Sequence, residues 1–192
     1  MGERFADRVR RDLRSALLTA TGELIVAYGF RRLRMADVAA RVGVSRQTVY
    51  NEFGDKSRLA QALVLHETAR LLDGIGAALN AYADPHRAIR EAVRYVLQDG
   101  QDNPLVKASL TGDGAEELLP LITTRGEPVV LAARKRIVAQ LRDKWSTPDA
   151  ELVADTAVRL TVSHLVLPLD PPEHAAESVA RVVSRLIPSE QP

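Results

Sequence analysis

The sequence predicts an all-α protein, a three-helix N-terminal head containing a helix-turn-helix on a larger helical body. Three observations carry this. Apolar residues recur at spacings of three and four along most of the chain, and alternating stretches joined by Asn-Gly or Asp-Gly turns are absent. All ten prolines lie at Pro85 or beyond, so they divide only the body into segments. Residues 37–56, DVAARVGVSRQTVYNEFGDK, read as a helix that is stopped and restarted within a few positions.

The first helix is expected from about Asp7 to Tyr28, with Val9, Leu13, Ala16, Leu17, Ala20, Leu24 and Ala27 on one face and Gly29 ending it. Two short helices follow, near Met35–Val42 and Ser45–Glu52. Asp55 caps a long helix whose apolar positions include Leu59, Leu63, Leu71, Leu72, Ile75 and Leu79. In the body, Asp84-Pro85 and Thr147-Pro148 each place a capping residue before a proline suited to the first helical position. Helices are expected near Pro85–Asp102, Pro104–Thr111, Ala115–Leu119, Pro128–Lys144, Pro148–Leu167 and Pro172–Ile187.

Composition narrows the function. At 192 residues, 46% hydrophobic and 27% charged, the chain suffices for one sizeable core or a small head on a body. Without cysteine there is neither a disulfide framework nor a thiolate zinc site, and the simplest compartment is the cytoplasm. No apolar segment has signal-peptide or membrane-spanning length, so no membrane partner is expected. His66, His86, His164 and His174 lack metal-ligand spacing, so no metal and no cofactor are expected, and His164 reads as a buried, hydrogen-bonded imidazole. No glycine-rich phosphate loop or nucleophile–base arrangement argues for an enzyme. Charge is uneven: residues 1–60 carry +5 and the remainder −4. A basic head on an acidic body suits a polyanion partner for the head alone.

The broken helix supplies the chemistry. Gly43 adopts a left-handed turn cheaply, Ala39 leaves room for a crossing helix, and Val38, Val42, Val44 and Val49 brace the corner. Ser45 caps the second helix. With the valines inward, Arg46, Gln47, Thr48 and Asn51 point outward, and a recognition helix enters the major groove of double-stranded DNA by this end. Arginine pairs with guanine and glutamine with adenine in bidentate fashion. Thr48, Tyr50 and Lys56 suit phosphate oxygens, and Arg31, Arg32 and Arg34 add charge before the motif.

Gly29-Phe30, Asp37-Val38-Ala39, Gly43-Val44-Ser45, Thr48-Val49-Tyr50, Phe53 and Lys56-Ser57-Arg58-Leu59 closely resemble the N-terminal domain of TetR-family transcriptional regulators, over about Leu13 to Leu63. The resemblance implies a homodimer, with a DNA-binding head at 1–54 and a ligand-binding, dimerising body at 55–192. It also implies phosphate contacts at Thr48, Tyr50 and Lys56 and base contacts at Arg46 and Gln47. Two positions depart from the pattern. Arg34 stands where the family usually has a capping Thr or Ser, and Glu52 where it usually has His or Tyr, so Glu52 is left outside the site.

The stretch Leu160–Leu169 is apolar nearly all round and needs cover, either in its own core or against a second subunit. The resemblance favours a second subunit, joined through the last two helices. Aromatic residues are only 4%, and Leu97, Leu105, Val106, Leu110, Leu119, Leu121, Ile122, Val130 and Leu131 are candidate lining for an aliphatic pocket. Such a pocket suits a fatty-acid or acyl-type effector. Residues 45–54 and 121–128 further resemble an actinobacterial AlkX-like subgroup linked to alkane and fatty-acid metabolism. The reading is a homodimeric repressor that leaves its palindromic operator when a small lipophilic effector binds. Two rivals stand beside it: a helical lipid-binding or enzymatic protein, and an architectural DNA binder without an effector.

Overall fold

The computed structural model describes the backbone of residues 5–111 and 115–188 and the side chains at 5–108 and 115–188. Among these residues the chain is helical, with no strand. The helices are α1 (Phe5–Tyr28), α2 (Met35–Val42), α3 (Arg46–Phe53), α4 (Lys56–Ala81), α5 (Pro85–Asp102), α6 (Pro104–Thr111), α7 (Ala115–Leu118), α8 (Glu127–Trp145), α9 (Ala150–Val166) and α10 (Pro172–Val183). Short 3₁₀ turns follow α7 and α10.

Caps explain most of the boundaries. Asp55 Oδ1 accepts the Arg58 N–H at 2.8 Å at the start of α4, and Asp84 Oδ2 accepts the Arg87 N–H at 2.7 Å at the start of α5. The expected cap at Thr147 is corrected. Ser146 takes a left-handed φ of 46°, and Thr147 is buried with its hydroxyl directed back to the Leu141 carbonyl. Helix α9 therefore begins at Ala150, after Asp149, without a side-chain cap.

The inward face of α1 is also corrected. Leu17, Leu18, Ala20, Thr21, Gly22 and Ile25 are buried, whereas Val9, Ala16 and Ala27 are exposed. The first two turns of α1 run past the apolar core, which Leu13 is the first to meet, while Ala16 and Ala27 lie on the outward side of the helix.

By compactness the chain forms two units, Met1–Glu67 with Pro104–Leu121 and Thr68–Asn103 with Ile122–Pro192. This division differs in kind from a functional boundary at 54/55, because α4 contributes to both units and α6 and α7 belong with the head. In the first unit, Leu17, Leu18 and Ile25 of α1 pack with Val38 and Ala39 of α2, Val49 and Phe53 of α3, Leu59 and Leu63 of α4, and Leu105, Leu118 and Leu121. Gly22 lets α6 approach α1: a Cβ there would lie 3.3 Å from the Leu105 side chain.

The second unit is built around α5, α8, α9 and α10. Ala175, Ala176, Val179, Ala180 and Val183 of α10 share a core with Ala88, Ile89, Ala92, Val93 and Leu97 of α5. Small residues on α10 permit this close packing. The apolar stretch near the end of α9 is only partly absorbed: Thr161 is buried, Leu160, Val162 and Leu165 are partly buried, and Leu167 and Leu169 are exposed. His164 is half-buried, without a hydrogen-bond partner among the described residues, so the buried imidazole expected there is corrected. No described helix is long and apolar enough to cross a membrane.

Gly74 of α4 lies against the Tyr95 ring of α5, in the space that a Cβ would occupy. Gly74→Ala should therefore cost about 1–3 kcal/mol through overpacking. Urea unfolding should show Gly74→Ala costing much less in a Tyr95→Ala background than in the wild type.

Candidate nucleic-acid interface

The interface is built on a helix of eight residues. At the corner before it, Gly43 has φ 79° and ψ 30°, and its N–H reaches the Ala39 carbonyl at 3.0 Å and the Ala40 carbonyl at 3.3 Å. The Val44 N–H also reaches Ala39 at 3.0 Å. These bonds satisfy the carbonyls at the end of α2 while the chain reverses. Ser45 then holds an extended conformation and its Oγ accepts the Thr48 N–H at 3.1 Å. Val49 and Phe53 are buried, which fixes the opposite face of α3 outward.

On that outward face the expected residues come together. Arg46, Gln47 and Asn51 are exposed, as is Ser45, and Thr48 and Tyr50 are half-buried. Neighbours one turn apart support each other. The Arg46 guanidinium donates to the Tyr50 hydroxyl at 3.0 Å and lies 5.1 Å from its ring centroid. Gln47 Nε2 donates to Asn51 Oδ1 at 2.8 Å. Thr48 and Ser45 hydroxyls are 2.9 Å apart. The side chains that reach furthest are thus hydrogen-bonded to one another before any partner arrives.

Lys56 sits apart from this row. Its Nζ donates to the Arg31 carbonyl at 3.1 Å and lies 4.4 Å over the Phe30 ring. Burial pushes the ammonium pKa below its usual value, and the nearby Glu117 carboxylate opposes that shift. Arg31 pairs with Glu116 at 2.5 Å, and its Nε is 3.7 Å from Glu117. Arg34 is exposed and occupies the N-cap of α2 with no side-chain cap bond, so α2 starts on backbone bonds to the Arg34 carbonyl alone.

Glu52, left outside the site on sequence grounds, has partners that the sequence did not reveal. Its side chain is only 10% exposed and binds two arginines of α1: Arg14 Nη1 at 2.6 Å and Arg10 Nε at 3.1 Å. Burial by itself would raise the carboxyl pKa, but the hydrogen bonds from Arg14 and Arg10, with their charges, hold it below the ordinary range. Arg14 also lies 4.7 Å over the Phe53 ring. A carboxylate on a helix expected to face phosphates was the available signal, but its partners lie 38 and 42 residues away in sequence.

The nine aliphatic residues proposed as pocket lining are divided between the two units. Leu105 and Leu121 are buried in the core of the first unit, and Leu97 in that of the second. Val106, Leu119 and Ile122 are half-buried, Val130 packs partly on the second core, and Leu131 is 51% exposed. The Leu110 side chain lies outside the described residues. A separate open cavity of about 630 Å³ in the second unit is lined by Ala83, Pro85, His86, Trp145, Arg185 and Ile187, among others, and includes none of the nine. The described residues contain no group of three or more metal-ligating side chains.

A three-helix head with an exposed polar tip on its last short helix defines a helix-turn-helix DNA-binding regulator. Two family models match: bacterial regulatory proteins of the tetR family over residues 17–63, and the bacterial tetracyclin repressor C-terminal domain over residues 84–185. The chain belongs to the TetR family of transcriptional regulators. It is 32% identical over 184 residues to the HTH-type transcriptional regulator AlkX of Mycobacterium tuberculosis, covering 94% of this chain and 87% of that protein. It is 31% identical to the transcriptional activator FasR of Mycolicibacterium smegmatis over 110 residues, 55% of this chain and 50% of that protein. Among solved structures, the TetR family repressor AlkX from Dietzia sp. strain DQ12-45-1b, implicated in biodegradation of n-alkanes, superposes with a TM-score of 0.78 at 27% identity. That match covers 90% of this chain and 93% of the other. The matched families and relatives are regulators, not enzymes; such regulators bind DNA, usually dimerise and respond to small molecules.

Two outcomes test the geometry of the head. Gly43→Ala should destabilise by about 1–2 kcal/mol from left-handed strain alone, since its Cβ would meet nothing within 4 Å. Because the Glu52 pKa is depressed on folding, its contribution is present above the unfolded value of about 4.5 and is lost as pH falls through the folded value. Chemical denaturation across that range should therefore show a shallower acid loss of stability in Glu52→Gln than in the wild type.

Proposed function

We propose that this protein is a repressor that binds a palindromic operator as a homodimer and is released by a small lipophilic effector. The observation that supports it most is the tip of α3. Arg46, Gln47 and Asn51 stand exposed together, while Val49 and Phe53 anchor the same helix in the core. Residues 1–54 carry DNA binding and 55–192 effector binding and dimerisation, within the cytoplasm. Arg46 and Gln47 read base edges. Ser45, Thr48, Tyr50, Asn51, Lys56 and Arg34 help to seat the helix on the backbone.

Dimerisation runs through α9 and α10. Leu152, Val182 and Leu186 are large exposed apolar side chains on and just beyond these helices, which a second copy would cover. A dimer presents two heads to half-sites about 34–36 Å apart or a multiple of that. The lipophilic effector is supported by the aliphatic character of residues 97–131 and by the n-alkane link of the Dietzia regulator. Residues 104–121 pack with the head through Leu105, Leu118 and Leu121. An effector that shifts this segment changes the head's support, and the bound and released forms exchange population.

Selection from a random duplex pool, followed by titration, tests the reading. Arg46→Ala and Gln47→Ala should each cost about 1–3 kcal/mol and relax preference at one base pair. Lys56→Ala should weaken all duplexes about equally. Unchanged base preference in both α3 variants would overturn the assignment. Native mass spectrometry of the purified protein should show a bound lipid whose addition releases the operator; release by polar solutes alone would remove the lipophilic effector from the proposal.

A further inference from the structure

Glu52 lies in the last turn of α3, one helical turn beyond Thr48 on the same side, so the two side chains sit about 6 Å apart along the axis. Its carboxylate takes one arginine on each oxygen, Arg14 Nη1 on Oε1 at 2.6 Å and Arg10 Nε on Oε2 at 3.1 Å. The carboxylate is nearly buried, while Arg10 is 72% exposed and Arg14 41%. Two cations on one anion leave a local charge of +1 beside α3. A guanidinium has five N–H donors. Among the described residues Arg10 is engaged through Nε, and the N–H groups of its Nη atoms meet no acceptor and can serve another. Arg14 is fixed a second time by the Phe53 ring at 4.7 Å.

We propose that Glu52 is a positioning residue for nucleic-acid binding. It holds Arg10 and Arg14 of α1 beside the recognition helix as a phosphate-binding pair, extending the interface from α3 to the start of α1. This rests on the DNA-binding reading above and adds to it a role for α1. The chemistry recognised is a backbone phosphate of the same duplex, next to the one met by the Ser45–Thr48 hydroxyls. Without the carboxylate the two long side chains sample many rotamers, and their charges repel one another.

The sign of one substitution separates this from simple electrostatics. Glu52→Gln makes the head more positive by one charge, which by charge alone should tighten binding to any duplex. Positioning predicts the reverse: operator affinity falls about tenfold, and the slope of log affinity against log salt loses about 0.9, one phosphate contact. Arg10→Ala, at an exposed site, should lose a similar slope while its thermal unfolding stays close to that of the wild type. Combining the two should cost little more than either alone.

Titration of wild type, both single variants and the double variant against the selected operator duplex, from low to physiological salt, decides the matter. Tighter binding by Glu52→Gln, an unchanged slope in Arg10→Ala, or additive losses would overturn the proposal. Binding by the wild type at low salt, with those results, leaves the DNA-binding reading standing while removing the α1 contact. Absence of wild-type duplex binding overturns both.

Discussion

An eight-residue helix has little stability of its own, because the cost of nucleating a helix is not recovered over two turns. Helix α3 is such a helix, and the functional surface sits on it. Its existence depends on burying Val49 and Phe53 against α1 and α4 and on the Ser45 cap. The polar tip is therefore a product of the core beneath it. A residue on the outer face can change without loss of the fold, but a change at Val49 removes the surface that carries the outer residues.

Ion pairs in the head fall into two kinds. Arg41–Glu23 and Arg31–Glu116 join side chains that are each more than half exposed, and such pairs contribute little to stability. Glu52 is different, since its carboxylate is nearly buried and its two partners come from another helix. Removing both arginines there would leave a nearly buried carboxylate uncompensated, which is costly. The same contact fixes where two positive charges sit relative to α3. Stability and charge placement are joined at one residue in this head.

Much of the fold was legible because its signals are local. Proline at the first helical position set the starts of α5 and α6, and glycine and serine set the corner between α2 and α3. The errors arose where a local signal was overridden from a distance. Val9 continues the apolar period of α1 beyond the point where the core ends, and Ala16 faces outward between Leu13 and Leu17. Thr147 precedes a proline as a cap would, but the left-handed Ser146 turns it under α8. Glu52 looked foreign to a phosphate-facing helix because its arginines lie some forty residues earlier. The aliphatic run from Leu97 to Leu131 could not be resolved, since leucine looks alike in a core and in a pocket wall.

That ambiguity bears on how a signal would cross the chain. Residues 104–121 join the head's core through Leu105, Leu118 and Leu121, and Leu105 rests against Gly22 of α1. Extracting even two of these leucines would cost about 3–6 kcal/mol in lost burial. Inverting a two-state population from 1:99 to 99:1 needs a differential affinity of about 5.5 kcal/mol. The two magnitudes are comparable, so an effector that pulled the segment out would exhaust its binding preference on that step. A change that keeps these leucines buried against α1 avoids that cost. Gly22 constrains such a change, since a Cβ there would lie only 3.3 Å from the Leu105 side chain, so the two helices already meet without slack at that contact.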